Sequence, residues 1–165
     1  MPNWVYNTLK VIKGDPQDVF AFVRTEESVF DFNTLVPQPE GLYQGALGPK
    51  DFEKYGSKNW YDWNRAKWGT KWNARDARYS TTDPEHVICF MTAWDAPAPV
   101  FAALAKRFPG HEIVAYSDES DNHYHTTFTL KDGLLTSADE PCRCFDEDET
   151  PVTRAELDAF GIEEA

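Results

Sequence analysis

The chain has 165 residues, 41% hydrophobic and 15% aromatic, with 16 Lys and Arg against 28 Asp and Glu for a net charge of −12. That length supports one domain with a substantial core, and that aromatic share excludes a wholly disordered chain. The net charge argues against nonspecific binding of nucleic acid or an anionic membrane by the molecule as a whole. The charge is uneven: residues 50–78 hold eight basic and four acidic side chains, a net of +4, whereas 118–165 hold three and fourteen, a net of −11. Four of the six Trp fall within the basic stretch.

Residues 7–13 alternate and are β-branched, which predicts a strand stopped at Gly14-Asp15-Pro16. Asp15 is placed to cap a helix that opens on Pro16 and carries Val19, Phe20, Phe22 and Val23 as its apolar stripe. Residues 30–33 alternate again and predict a second strand before Pro37. A Gly-punctuated loop then precedes a helix expected over 51–68 and closed by Gly69. Residues 71–79 are ambiguous, with a short strand one reading. The apolar run 86–94 predicts a buried central strand, followed by a helix with Val100, Phe101, Leu104 and Phe108 on one face. Residues 112–116 and 124–130 read as strands, and Asp132-Gly133 as a hairpin turn into 134–136. Residues 139–150 are acidic, and Thr153 with Glu156 makes a capping box for a last short helix.

The core order βαββαβ predicts an α+β, ferredoxin-like sandwich: an antiparallel sheet with both helices on one face. The domain is expected over residues 1–138, with a Trp-rich insertion at about 40–85 between the second and third core strands. An acidic C-terminal tail with a short helix is expected over 139–165.

Several short stretches resemble the YubB-type family of phage- and plasmid-encoded proteins. They are Met1-Pro2-Asn3-Trp4-Val5-Tyr6-Asn7-Thr8-Leu9, Phe30-Asp31-Phe32-Asn33 with Val36-Pro37-Gln38-Pro39, Trp68-Gly69-Thr70-Lys71-Trp72-Asn73, and Thr92-Ala93-Trp94-Asp95-Ala96-Pro97 with Phe108-Pro109. The resemblance covers roughly residues 1–135 and departs from the family pattern at Val5, where a Cys is expected, and at 118–125, where a Gly-rich turn is expected. It implies a ferredoxin-like domain and an accessory role for a mobile element, with anti-defence or host interference as the function. It implies no reaction and no cofactor.

Trp60, Trp63, Trp68 and Trp72 are interleaved with Arg65, Lys71 and other cations, and Trp94 closes the central strand. Stacking rings beside cations suit a base or an anionic ligand, while the same Trp residues also suit anchors that hold an insertion on the sheet. Gly69, Thr70 and Lys71 make the sharpest candidate, a turn with two donors for an anion. His123 and His125, two apart on one strand, together with Cys142 and Cys144 make a weaker candidate for tetrahedral zinc. Three Cys is an odd count for a disulfide framework, and Cys89 reads as a small core residue. The acidic run 146–149 either solubilises the tail or contacts a basic surface.

No nucleophile elbow, P-loop or zinc-protease motif is present, and neither central strand carries the aromatic–basic octet of RNA-recognition modules. No apolar run nears the roughly 20 residues that span a bilayer, and the start lacks the pattern of a secretory signal. The expectation is a non-enzymatic accessory protein of a phage or plasmid, located in the cytoplasm of a bacterial host, that binds a host component such as a host protein. The alternatives are a protein that sequesters or processes a nucleotide or other anionic small molecule at residues 68–72, and a purely structural assembly protein.

Overall fold

The structure, a computed structural model, describes residues 2–119 and 124–139. Strand β1 (Trp4–Lys13) alternates as its sequence predicts: Val5, Asn7, Leu9 and Val11 are buried, while Trp4, Tyr6, Thr8 and Lys10 lie on the other face. The Asp15 carboxylate accepts the Gln17 N–H at 2.9 Å and caps helix α1 (Pro16–Val23), which buries Val19, Phe20 and Val23.

Residues 30–33 are not a strand. They enter a 3₁₀ turn, Phe32–Thr34. The Asp31 carboxylate accepts the Asn33 N–H at 2.9 Å, and the Phe32 N–H is taken by the Asn73 side chain at 2.9 Å. Those bonds occupy the donors that a sheet ladder would need. The alternation still buries Phe30 and Phe32, in a turn rather than a strand. The helix expected over 51–68 is two helices, α2 (Pro49–Tyr55) and α3 (Trp60–Lys67). Gly56 ends the first with φ of +53°, and the Asn59 side chain caps the second by accepting the Asp62 N–H at 2.9 Å.

The second core strand is β2 (Arg75–Tyr79), so the insertion lies between α1 and β2 and not between the second and third core strands. Strand β3 (Val87–Ala93) is nearly all buried, as its apolar run predicts. Helix α4 (Ala98–Arg107) buries Val100, Phe101, Leu104 and Ala105. Strands β4 (Glu112–Glu119) and β5 (Tyr124–Lys131) are followed by β6 (Leu134–Asp139). Asp132 and Gly133 both have positive φ, as a tight two-residue hairpin requires.

The sheet is antiparallel throughout, in the order β2-β3-β1-β4-β5-β6. Its first four strands with α1 and α4 form the ferredoxin-like α+β sandwich, and the β5–β6 hairpin widens it at the β4 edge. One apolar cluster joins both helices to the sheet. Phe90 is its hub, with Phe30 at 4.8 Å, Phe32 at 6.0 Å and Phe101 at 6.4 Å, all edge-on. Consequently α1 and α4 cover one sheet face, and the strand residues of opposite parity form the other.

Candidate functional site

The segment that follows α3 wraps the end of the sheet from the helical face to the opposite one. It starts with Trp68, which is 2% exposed, donates its indole N–H to the Val36 carbonyl at 2.8 Å and stands edge-on to Phe32 at 5.7 Å. Gly69 follows with φ of +80°; a Cβ there would sit 2.7 Å from Pro99 Cδ. Thr70 is also 2% exposed, and its hydroxyl both donates to the Ala93 carbonyl at 2.8 Å and accepts the Ala93 N–H at 3.1 Å. It thus satisfies the edge of β3 beyond the reach of β2. Asn64 clamps the turn by donating to the Lys71 carbonyl at 2.8 Å, and Asn73 ties its far side to Asp31 at 2.7 Å.

Those contacts fix Lys71 with its ammonium group on the far side of the sheet end. Nζ lies 4.4 Å from the Trp72 ring centre, 5.0 Å from Trp94 and 5.8 Å from Tyr61. The pattern continues on both sides. Arg65 lies over Tyr61 at 5.8 Å, Trp72 meets Trp4 at 6.0 Å, and Arg75 lies over Trp4 at 4.9 Å. The result is a strip of alternating cations and rings. Cation–π attraction holds its members, and desolvation strengthens it. Among the described residues, neither Lys71 nor Arg65 forms a salt bridge; Arg75 has the exposed Asp76 carboxylate at 3.6 Å.

Trp94 is the most unusual member. It is 40% exposed and has φ of +71°, a left-handed conformation that an aromatic residue adopts at a cost of roughly 1–3 kcal/mol. Its N–H bonds to the Asn3 carbonyl at 2.9 Å, which keeps it beside β1.

The structure therefore divides the eight sequence candidates. Arg65, Lys71, Trp72 and Trp94 come together on the strip. Trp68 and Thr70 are anchors, buried with their polar atoms satisfied, so neither presents a donor to a ligand. Trp60 donates its indole N–H to the Gly45 carbonyl at 3.0 Å, and Trp63 packs edge-on to Trp68 at 5.5 Å; both hold the insertion together. Trp4 and Tyr61 are members that the sequence pattern does not single out, and Arg75 is one of the further cations interleaved with the Trp residues. The signal for the two rings is alternation: Trp4 is the first outward residue of β1, and Tyr61 stands four before Arg65 on α3.

Of the zinc candidates, His125 faces Asp118, with its Nδ1 2.8 Å from the carboxylate. His123, Cys142 and Cys144 lie outside the described residues, as does the acidic tail from 140 onward. Among the described residues no three His, Cys, Asp or Glu side chains cluster to hold a metal.

Residues 67–157 match the family described as the ferredoxin-like domain in Api92-like protein. The chain belongs to that family. The matched region opens on the Trp68 turn and runs through β2 to β6 of the Api92-like fold. The crystal structure of protein api92 from Yersinia pseudotuberculosis is similar, with a TM-score of 0.50 and 13% identity over 67% of this chain and 39% of that one. At that identity the likeness speaks to the fold alone, and this chain spans well under half of that protein. No curated protein matches the chain. Among the described residues no helix is long and apolar enough to cross a membrane.

Proposed function

We propose that this Api92-like protein works by binding, and that it engages an anionic component of a bacterial host through the cation–aromatic strip at the end of its sheet. Trp94 is the observation that carries the reading. A large ring is kept exposed on a backbone that disfavours it, against an ammonium group with no carboxylate partner among the described residues. Strain of this kind persists where the surrounding structure holds it for use. The Asn64, Thr70 and Asn73 bonds supply that support by fixing the strip before any partner arrives, which lowers the ordering cost of binding. The resemblance to YubB-type sequences adds the setting: an accessory protein of a phage or plasmid, acting in the host cytoplasm against defence or another host process.

The test is capture from bacterial lysate by the immobilised protein, with Lys71→Ala and Trp94→Gly as comparisons. The expected result is a component retained by the natural protein, released by raised salt and absent with both variants. An identical captured set for all three proteins overturns the reading.

A further inference from the structure

We propose that the sheet face turned away from the helices carries single-stranded nucleic acid, its bases stacked on Trp4, Tyr6 and Tyr116 and its phosphates met by Lys71, Arg75 and Arg78. This names the chemical class of the anionic partner and rests on the strip being a binding surface. The strand register gives the path. On this face Trp4 and Tyr6 are successive outward residues of β1, roughly 6.6 Å apart along the strand. Tyr6 pairs with Asp118 and Thr8 with Tyr116, so Tyr116 sits diagonally from Tyr6 on the next strand. The three half-buried rings lead from Trp72 and Trp4 into the middle of the sheet.

The cations follow the same path along one side. Arg75 pairs with Met91, which pairs with Tyr6; Arg78 pairs with Cys89, which pairs with Thr8. Arg75 therefore stands two strands from the Tyr6 ring and Arg78 three strands from Tyr116, with side chains no larger than Met between them. Of the β4 carboxylates of this face, Glu112 lies 3.1 Å from the Lys131 ammonium group, and Asp118 lies 2.8 Å from the His125 imidazole. Rings with interleaved cations suit a base-and-phosphate polymer, because every base has a flat face to stack and every link an anionic oxygen. An acidic peptide has the charge without the flat faces. A duplex keeps its bases paired, out of reach of rings set into a sheet.

Two features of the sequence bear against such a ligand, and the structure accounts for both. The net charge of −12 is one, but −11 of it falls in residues 118–165, while the strip is drawn largely from a stretch of net +4. The missing aromatic–basic octet is the other. Strand β3 offers Val87, Cys89, Met91 and Ala93 to this face, and the rings come instead from β1 and β4.

The experiment is fluorescence anisotropy of the full chain at low salt with labelled oligouridylate and oligothymidylate, each about twelve nucleotides, the scale of one such site. An abasic oligomer and a duplex of equal length serve as comparisons. The expected result is saturable binding of at least one single strand, at least about five-fold weaker for the abasic oligomer and for Trp4→Ala. Arg75→Glu, an exposed change that spares the core, is expected to abolish binding, and Lys106→Glu on the far face of the molecule to leave it unchanged. Equal binding of the abasic oligomer or the duplex, or no response to Arg75→Glu, overturns the proposal. If no oligonucleotide binds while lysate capture still depends on Lys71 and Trp94, the nucleic-acid assignment falls and the strip remains a binding surface for another anion.

Discussion

At the scale of single residues, the Trp-rich segment holds two kinds of tryptophan that look alike in sequence and do different things. Trp68 is structural, with its ring against Phe32 and its indole N–H on the Val36 carbonyl. Trp68→Ala is expected to cost about 3–5 kcal/mol, read from the urea midpoint, because it opens a cavity and leaves the Val36 carbonyl without its donor. Trp72 and Trp94 sit at the surface with Lys71 between them. Composition alone marks all of these positions as candidates. It does not separate them, because burial of Trp68 depends on Phe32 and Val36, more than thirty residues earlier. A second residue-scale effect concerns acid stability. Asp83 accepts from His86 at 2.7 Å and meets Lys10 at 3.3 Å, and its carboxyl is held below the usual carboxylate range, chiefly by the His86 bond. A folded-state value below the unfolded one stabilises at pH above the unfolded value, near 3.9, and the benefit is lost as pH falls through the folded value. Urea midpoints of Asp83→Asn between about pH 5 and 2 should therefore fall less steeply than those of the natural protein.

At the scale of elements, the strands and helices with strong periodicity are legible and the insertion is not. Strand β1, α1, β3 and α4 follow directly from alternation, helical stripes and the Asp15 cap. Phe30 and Phe32 alternate like a strand, yet the Asp31 and Asn73 side chains turn their backbone into a 3₁₀ turn. Nothing local to residues 30–33 reveals that Asn73, forty residues on, takes the Phe32 N–H. The turn after α3 is the element on which the candidate site depends. Gly69 is needed there twice over, by its φ of +80° and by Pro99 Cδ at 2.7 Å from any added Cβ. Gly69→Ala should destabilise by at least about 1–2 kcal/mol, the usual cost of a left-handed non-glycine residue, in chemical unfolding. It should also disturb the Lys71–Trp72 pair, visible as a change in tryptophan emission.

At the scale of the whole molecule, the fold sets two faces to different tasks. One face buries the phenylalanine-rich core under α1 and α4. The other presents the outward residues of β1 and β4, and the strip lies where the wrapped segment reaches it. Trp4 and Tyr61 join the site only through this wrapping, which is why the sequence pattern names the cations and Trp72 and Trp94 but misses those two rings. The overall charge likewise describes the molecule poorly, since the local field at the strip is set by Arg65, Lys71 and Arg75. The most direct measurement is the pair of readouts on Trp94→Gly: melting temperature and partner capture. Glycine removes both the ring and the strain, so the melting temperature should stay within about 4 °C of the natural protein while the captured component is lost. Retention of that component by a stably folded Trp94→Gly protein would contradict the assignment of the strip as the binding surface.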